Sequence, residues 1–154
     1  MVQAAAPLQL PRLAAPLAGA AGMAVLALDL GTCMRFLRFQ RWLMELSHSH
    51  ASPGQPLIDQ VVFEEVRRHA GVDAAHAYGG FLGQLGSFCE HHRIPYQGVP
   101  VGTIKRFITG KGNASKEQVI AAVRDLGHSP VDDNEADALA LLHWAIAAAG
   151  GSDG

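Results

Sequence analysis

Apolar positions along this chain come as short unbroken runs that alternate with stripes at helical spacing. Residues 24–30 form a continuous apolar run that closes on Asp29-Leu30-Gly31-Thr32, the pattern of a fully buried strand entering a loop. Over residues 34–46, Phe36, Leu37, Phe39, Leu43, Met44 and Leu46 are interleaved with Arg35, Arg38, Gln40, Arg41 and Glu45. That spacing predicts an amphipathic helix. Ser, Pro and Gly make residues 48–56 a loop, and residues 57–66 then carry Val61-Val62-Phe63 straight into Glu64 as a second central strand. A long helix rich in small residues is expected over 74–93, where Gly79, Gly80, Gly83 and Gly86 lower helix propensity but permit close packing on a sheet. Residues 95–101 read as a third strand and 103–108 as a short helix, followed by a glycine-bearing loop over 110–114. Ser115 with Gln118 forms a capping box for a helix ending near Leu126, with Gly127 as its stop. The last helix, 133–149, is rich in Ala and Leu and has acidic residues in its first turn, which suits the helix dipole. Strands alternating with helices in this order predict a layered α/β domain.

The 154 residues suit a single domain, and a 49% hydrophobic composition supplies a core and excludes a disordered protein. Residues 1–22, with Pro7, Pro11 and Pro16 and Arg12 as their only charge, read as a flexible extension, and 150–154 as a flexible tail. The domain proper is therefore expected over 23–149, with Met23 as an alternative start. Prolines fall where a secretory signal would need its apolar segment. With no membrane-length apolar run, a soluble cytoplasmic protein is expected. Against 12 Lys and Arg stand 14 Asp and Glu, a net charge of −2, so any affinity for nucleic acid must come from a local basic face. Cys33 and Cys89 lack metal-site spacing and read as buried thiols in a reducing compartment. His91, His92 and His143 read as surface or packing residues, and Trp42 and Trp144 as core.

Chemistry is expected where carboxylates interrupt the apolar runs. Asp29 and Glu64, each near the carboxyl end of a predicted buried strand, would lie side by side at the sheet edge where open α/β sheets bind ligands. Unpaired carboxylates there are costly to desolvate and repel each other, which calls for a counter-cation. Asp137 supplies a third oxygen donor, with Asn134 and Asp133 on the same side of the final helix. Hard oxygen donors suit Mg²⁺ or Mn²⁺ rather than zinc. Each residue also has an ordinary role open to it: Asp29 as a turn cap, Glu64 as a partner of Arg67 or Arg68, and the acidic cluster from Asp132 as a helix start.

Four segments taken together carry a family likeness. Leu28-Asp29-Leu30-Gly31-Thr32, Phe63-Glu64-Glu65-Val66, the run from Gly110 to Lys116 and the run from Asp132 to Ala140 resemble the successive motifs of RuvC-like Holliday-junction resolvases of phages and bacteria, within the ribonuclease H-like superfamily. The resemblance spans about residues 23–149, and its most specific part is the Glu-Ala-Asp-Ala-Leu helix start at Glu135. It implies a ribonuclease H-like layered domain with a central mixed sheet flanked by helices. It further implies that Asp29, Glu64 and Asp137 bind Mg²⁺ or Mn²⁺, with Asn134 or Asp133 at a fourth position that the family usually fills with Asp or His. Lys105 and Lys116 match basic positions that serve the scissile phosphate and DNA, and Lys116 is expected to assist catalysis. The glycine loop from Gly110 to Asn113 offers backbone N–H groups to a phosphate, with Lys111 at hand as a DNA contact or a solvated loop charge.

The implied reaction is hydrolysis of a DNA phosphodiester at a four-way junction by a homodimer, assisted by two divalent ions. Arg67 and Arg68 are expected to contact DNA, whereas the stripe of Arg35, Arg38 and Arg41 fits either DNA backbone or a solvated helix face. One departure from the family stands out. Its first strand continues into an antiparallel meander of two further strands, while here Thr32 is followed at once by Cys33-Met34-Arg35-Phe36, so the second and third strands are missing. The first strand would then have an exposed edge unless a partner covers it. A catalytically impaired DNA-binding or assembly module derived from such a nuclease is the alternative. An actin-like or sugar-kinase-type ATPase shares the opening Asp-x-Gly-Thr but needs a second phosphate loop and an adenosine site, for which this chain has little room.

Overall fold

The structure, a computed structural model, describes residues 25–28, 36–48 and 58–150. Along the chain these form β1 (Val25–Leu28), α1 (Phe36–His48), β2 (Gln60–Glu65), α2 (Val72–His92), β3 (Tyr96–Pro100), α3 (Val101–Thr109), α4 (Lys116–Asp125) and α5 (Asp133–Gly150). Every element predicted over these residues is present. The predicted loop at 48–56 lies outside the described residues apart from His48, the last residue of α1.

The three strands lie in the order β1-β2-β3, and both pairings are parallel. Leu28 is paired with Phe63, and Glu64 with Val99. A mixed sheet was expected, but the described strands are all parallel. The antiparallel strands that would make it mixed are the two that the sequence lacks, so among the described residues β1 has β2 as its only partner.

Topology fixes the layers. Right-handed crossovers that always step the same way along a sheet put their helices on the same face, which places α1 and α2 together. On that face Leu26, Leu28, Val61 and Phe63 pack with Phe39, Trp42 and Leu43 of α1 and Phe81, Leu85 and Phe88 of α2. Strand alternation sends Val25, Ala27, Val62 and Val99 to the other face, under Ile104 of α3, Val119 and Val123 of α4 and Leu139, Leu141 and Leu142 of α5. Side chains as fully buried as Val61, Val62, Leu85 and Leu142 each contribute about 1.5–3 kcal/mol. Trp42 and Cys89 are buried as expected, and Trp144 packs partly buried against the α5 side of the core.

Gly79 and Gly83 of α2 depart from expectation. Its sheet-facing stripe is Phe81, Leu85, Phe88 and Cys89, so Gly79 and Gly83 point away from the sheet, and a Cβ on either would meet nothing within 4 Å. Gly86 does make a close approach, with a Cβ there falling 3.3 Å from the Tyr96 hydroxyl. No helix among the described residues is long and apolar enough to cross a membrane.

Candidate functional site

Glu64 sits near the carboxyl end of β2. It is paired with Val99, which belongs to the core beneath α5, so strand alternation turns Glu64 toward the α3–α5 layer. Asp137 lies in the second turn of α5, the helix that covers that face. Its carboxyl is raised above the usual range, mainly by burial; Asp133 adds to the shift, while Lys105 and Lys116 oppose it. A half-buried carboxyl raised by burial, with lysine charges acting on it, marks this end of α5 as a candidate functional site.

Local structure places the lysines. Lys105 on α3 donates from Nζ to the carbonyl of buried Ala114 at 2.8 Å, tying the 110–114 loop to the helix before it. Gly110 ends α3 in the left-handed region at φ 79°, where glycine carries no Cβ penalty. A Cβ on Gly112 would lie 3.2 Å from the Gly102 carbonyl, so the loop and α3 pack backbone to backbone there. Lys116 opens α4, fixed by a complete capping box: Ser115 Oγ accepts from the Gln118 N–H at 3.3 Å, and the Gln118 side chain accepts from the Ser115 N–H at 2.9 Å. Lys116 also pairs with the carboxylate of Asp133, whose pKa it lowers.

The start of α5 holds a reciprocal pair that composition alone did not reveal. Asp132 Oδ1 accepts from the Glu135 N–H at 2.8 Å, and Glu135 Oε2 accepts from the Val131 N–H at 2.8 Å. The spacing Asp132-x-x-Glu135 signals this cap, and it sets the phase in which Asp133, exposed Asn134 and Asp137 are presented.

Several expected site residues are arranged differently. Asp29 and Cys33 lie outside the described residues. Among those described, no group of three or more His, Cys, Asp or Glu side chains could hold a metal ion. The glycine loop was expected to offer its N–H groups to a phosphate. Two are already used, because Gly110 N–H bonds the Arg106 carbonyl at 2.9 Å and Lys111 N–H bonds Thr109 Oγ1 at 3.2 Å. Lys111 and Arg68 are exposed. Arg67 is exposed too and makes a two-pronged contact with Glu65, both arms at 3.2 Å. Glu65, one residue on from Glu64, belongs to the opposite face of the strand.

Sequence patterns also gave no hint of Tyr78 on α2. Its hydroxyl donates to the Glu64 carbonyl at 2.9 Å and accepts from the Val66 N–H at 3.4 Å. Partners 12 and 14 residues away leave no local signature.

A parallel sheet with helices on both faces, and acidic residues at the carboxyl end of its middle strand and on the helix covering it, is an open α/β domain with its candidate site at the carboxyl ends of the strands. No protein-family model and no curated protein matches the chain. Among solved structures it is similar to Thermus thermophilus RuvC, in two determinations. One is that protein in complex with Holliday junction substrate, at 26% identity and TM-score 0.62 over 76% of this chain and 70% of that one. The other is Thermus thermophilus RuvC itself, at 28% identity and TM-score 0.58 over 76% of this chain and 69% of that one. The fold of the described residues is RuvC-like, with a shortened sheet.

Proposed function

We propose that the chain is a divalent-metal-dependent endonuclease that hydrolyses DNA phosphodiesters at four-way junctions, in recombination and repair or in phage DNA processing. The observation that carries this reading is the half-buried Asp137 carboxyl on α5, within the electrostatic reach of Lys105 and Lys116, in a chain similar to a RuvC that is bound to a Holliday junction.

The donor set fits Mg²⁺ or Mn²⁺: Glu64 and Asp137 are hard oxygen donors presented to the same side of the sheet. Asp29 completes the set. It follows Leu28 directly in sequence, and Leu28 is paired with Phe63, the residue before Glu64. Asn134 offers a neutral carbonyl oxygen at the fourth position, since Asp133 is engaged by Lys116. When bound, such ions supply an attacking water of lowered pKa and stabilise the leaving 3′-oxygen. The chain's own residues do the positioning. Lys105, anchored on Ala114, and Lys116, set by the capping box, hold the phosphate that is cut, and Lys116 exchanges Asp133 for a phosphate oxygen as DNA arrives. Arg67, Arg68 and Lys111 hold the DNA backbone nearby. Cutting both strands of a two-fold junction calls for a homodimer, with the small-residue face of α2 as its contact.

A catalytically impaired binding module remains the second reading, favoured by uncharged Asn134 and by β1 having β2 as its only partner among the described residues. Incubating the protein with labelled four-way junction, duplex and single-stranded DNA, in Mg²⁺, in Mn²⁺ and in chelator, separates the two. Metal-dependent cleavage selective for the junction is expected; junction binding without cleavage in either metal supports the impaired module.

A further inference from the structure

Glu64 stands one residue before the end of β2. Among the described residues β1 pairs with β2 as far as Phe63, and the last partner β3 offers, opposite Glu65, is Pro100, which has no N–H to give. A ligand carboxylate has to be held to within about 0.5 Å, and the pairing of Glu64 with Val99 stands one residue before the end of the β2–β3 ladder. Tyr78 adds a hold from α2 at that end. One hydroxyl bonds the carbonyl of Glu64 and the N–H of Val66, so it fixes the peptide planes on both sides of Glu65 and with them the end of β2.

The ring is not wedged in place by packing alone. It lies 4.9 Å from the His69 ring and borders a shallow pocket of about 300 Å³ shared with Phe63, Val66 and Leu82. Beside the ring's packing on the core, the hydroxyl's two bonds align the end of β2.

We propose that Tyr78 is a positioning residue for Glu64, clamping the carboxyl end of β2 so that the Glu64 side chain meets a divalent ion in a fixed orientation. The inference rests on the metal-ligand role proposed above for Glu64. It reaches from α2 on one face of the sheet to chemistry on the other, because strand alternation sends the Glu64 side chain through to the α5 side. Groups that orient metal ligands typically alter metal affinity by about 10- to 100-fold when removed.

The test uses the full chain as wild type, Tyr78→Phe and Glu64→Gln. Mn²⁺ affinity is read from the free-ion paramagnetic resonance signal, and junction cleavage is followed against Mn²⁺ concentration. Tyr78→Phe is expected to bind Mn²⁺ on the order of tenfold more weakly, with its cleavage rate recovering toward wild type as Mn²⁺ is raised, a rescue that a general loss of fold does not give. Glu64→Gln is expected to show no such recovery. In the wild type the Val66 amide is expected to be protected from hydrogen exchange, a readout that stands even if Tyr78→Phe fails to fold. An unprotected Val66 amide, or a folded Tyr78→Phe with wild-type Mn²⁺ affinity, overturns the Tyr78 assignment alone. A wild type that neither binds Mn²⁺ nor cleaves overturns the nuclease reading, and the role of Tyr78 falls with it.

Discussion

Replacing Gly79 and Gly83 together by alanine is expected to stabilise this protein. Both lie inside α2, four residues apart on an exposed face, and a Cβ at either meets no atom within 4 Å. With no steric cost in the folded state, the gain is the helix-interior difference between Gly and Ala, about 0.5–1 kcal/mol per site. Two sites give roughly 1–2 kcal/mol, a sizeable fraction of the roughly 5–15 kcal/mol that holds a typical domain together. For a chain of this length each kcal/mol raises the melting midpoint by about 2–4 °C, so the double variant should melt about 2–8 °C higher. Gly86→Ala is the internal control: its Cβ would crowd the Tyr96 hydroxyl at 3.3 Å, and little or no gain is expected. Circular dichroism melts of the three forms at low and high protein concentration make the comparison. A double variant that melts at or below the wild type at low concentration refutes the reasoning. A gain at low concentration that vanishes at high concentration assigns this face to the proposed dimer contact, since new methyl groups would then hinder a second copy.

Ser115→Ala removes the hydroxyl half of the α4 capping box and is expected to cost about 1 kcal/mol by chemical denaturation. Ser115→Asp, which restores an acceptor for the Gln118 N–H, should recover most of that loss; no recovery would mean the cap contributes little. Asp137→Asn should raise stability in metal-free buffer near neutral pH. Because the folded-state pKa of Asp137 is raised, its neutral form favours the folded state, and that contribution is lost as pH rises through the folded value. The gain from Asn is therefore largest above that value and disappears below the ordinary 3.8, where the carboxyl is protonated in both states. Equal effects at both pH values would show that burial does not raise this carboxyl.

Much of the fold was legible because local pattern encodes it. The apolar run of β1, the Val61-Val62-Phe63 run and the Ser115 cap with Gly127 behind it each signalled an element that the structure contains. Features set by tertiary contact were not legible. The glycines of α2 suggested close packing by composition, but which face of the helix they occupy depends on where Phe81, Leu85 and Phe88 lie, and that stripe turned Gly79 and Gly83 outward. At the site, Glu64 and Asp137 stood out as carboxylates in apolar settings. By contrast, Lys116 meeting Asp133 across 17 residues, and Tyr78 meeting Glu64 across 14, depend on how α4 packs on α5 and how α2 crosses the end of β2. No periodicity records such meetings.

Of all measurements, the most direct test of a metal-assisted carboxylate centre compares Asp137→Asn with wild type on a labelled four-way junction in Mn²⁺, following cleavage and junction affinity in the same samples. Loss of cleavage with affinity equal to or tighter than wild type is the expected result, because the substitution removes a ligand together with a negative charge facing phosphate. Cleavage at the wild-type rate by Asp137→Asn would contradict the account and move the active site away from the junction of α5 and β2.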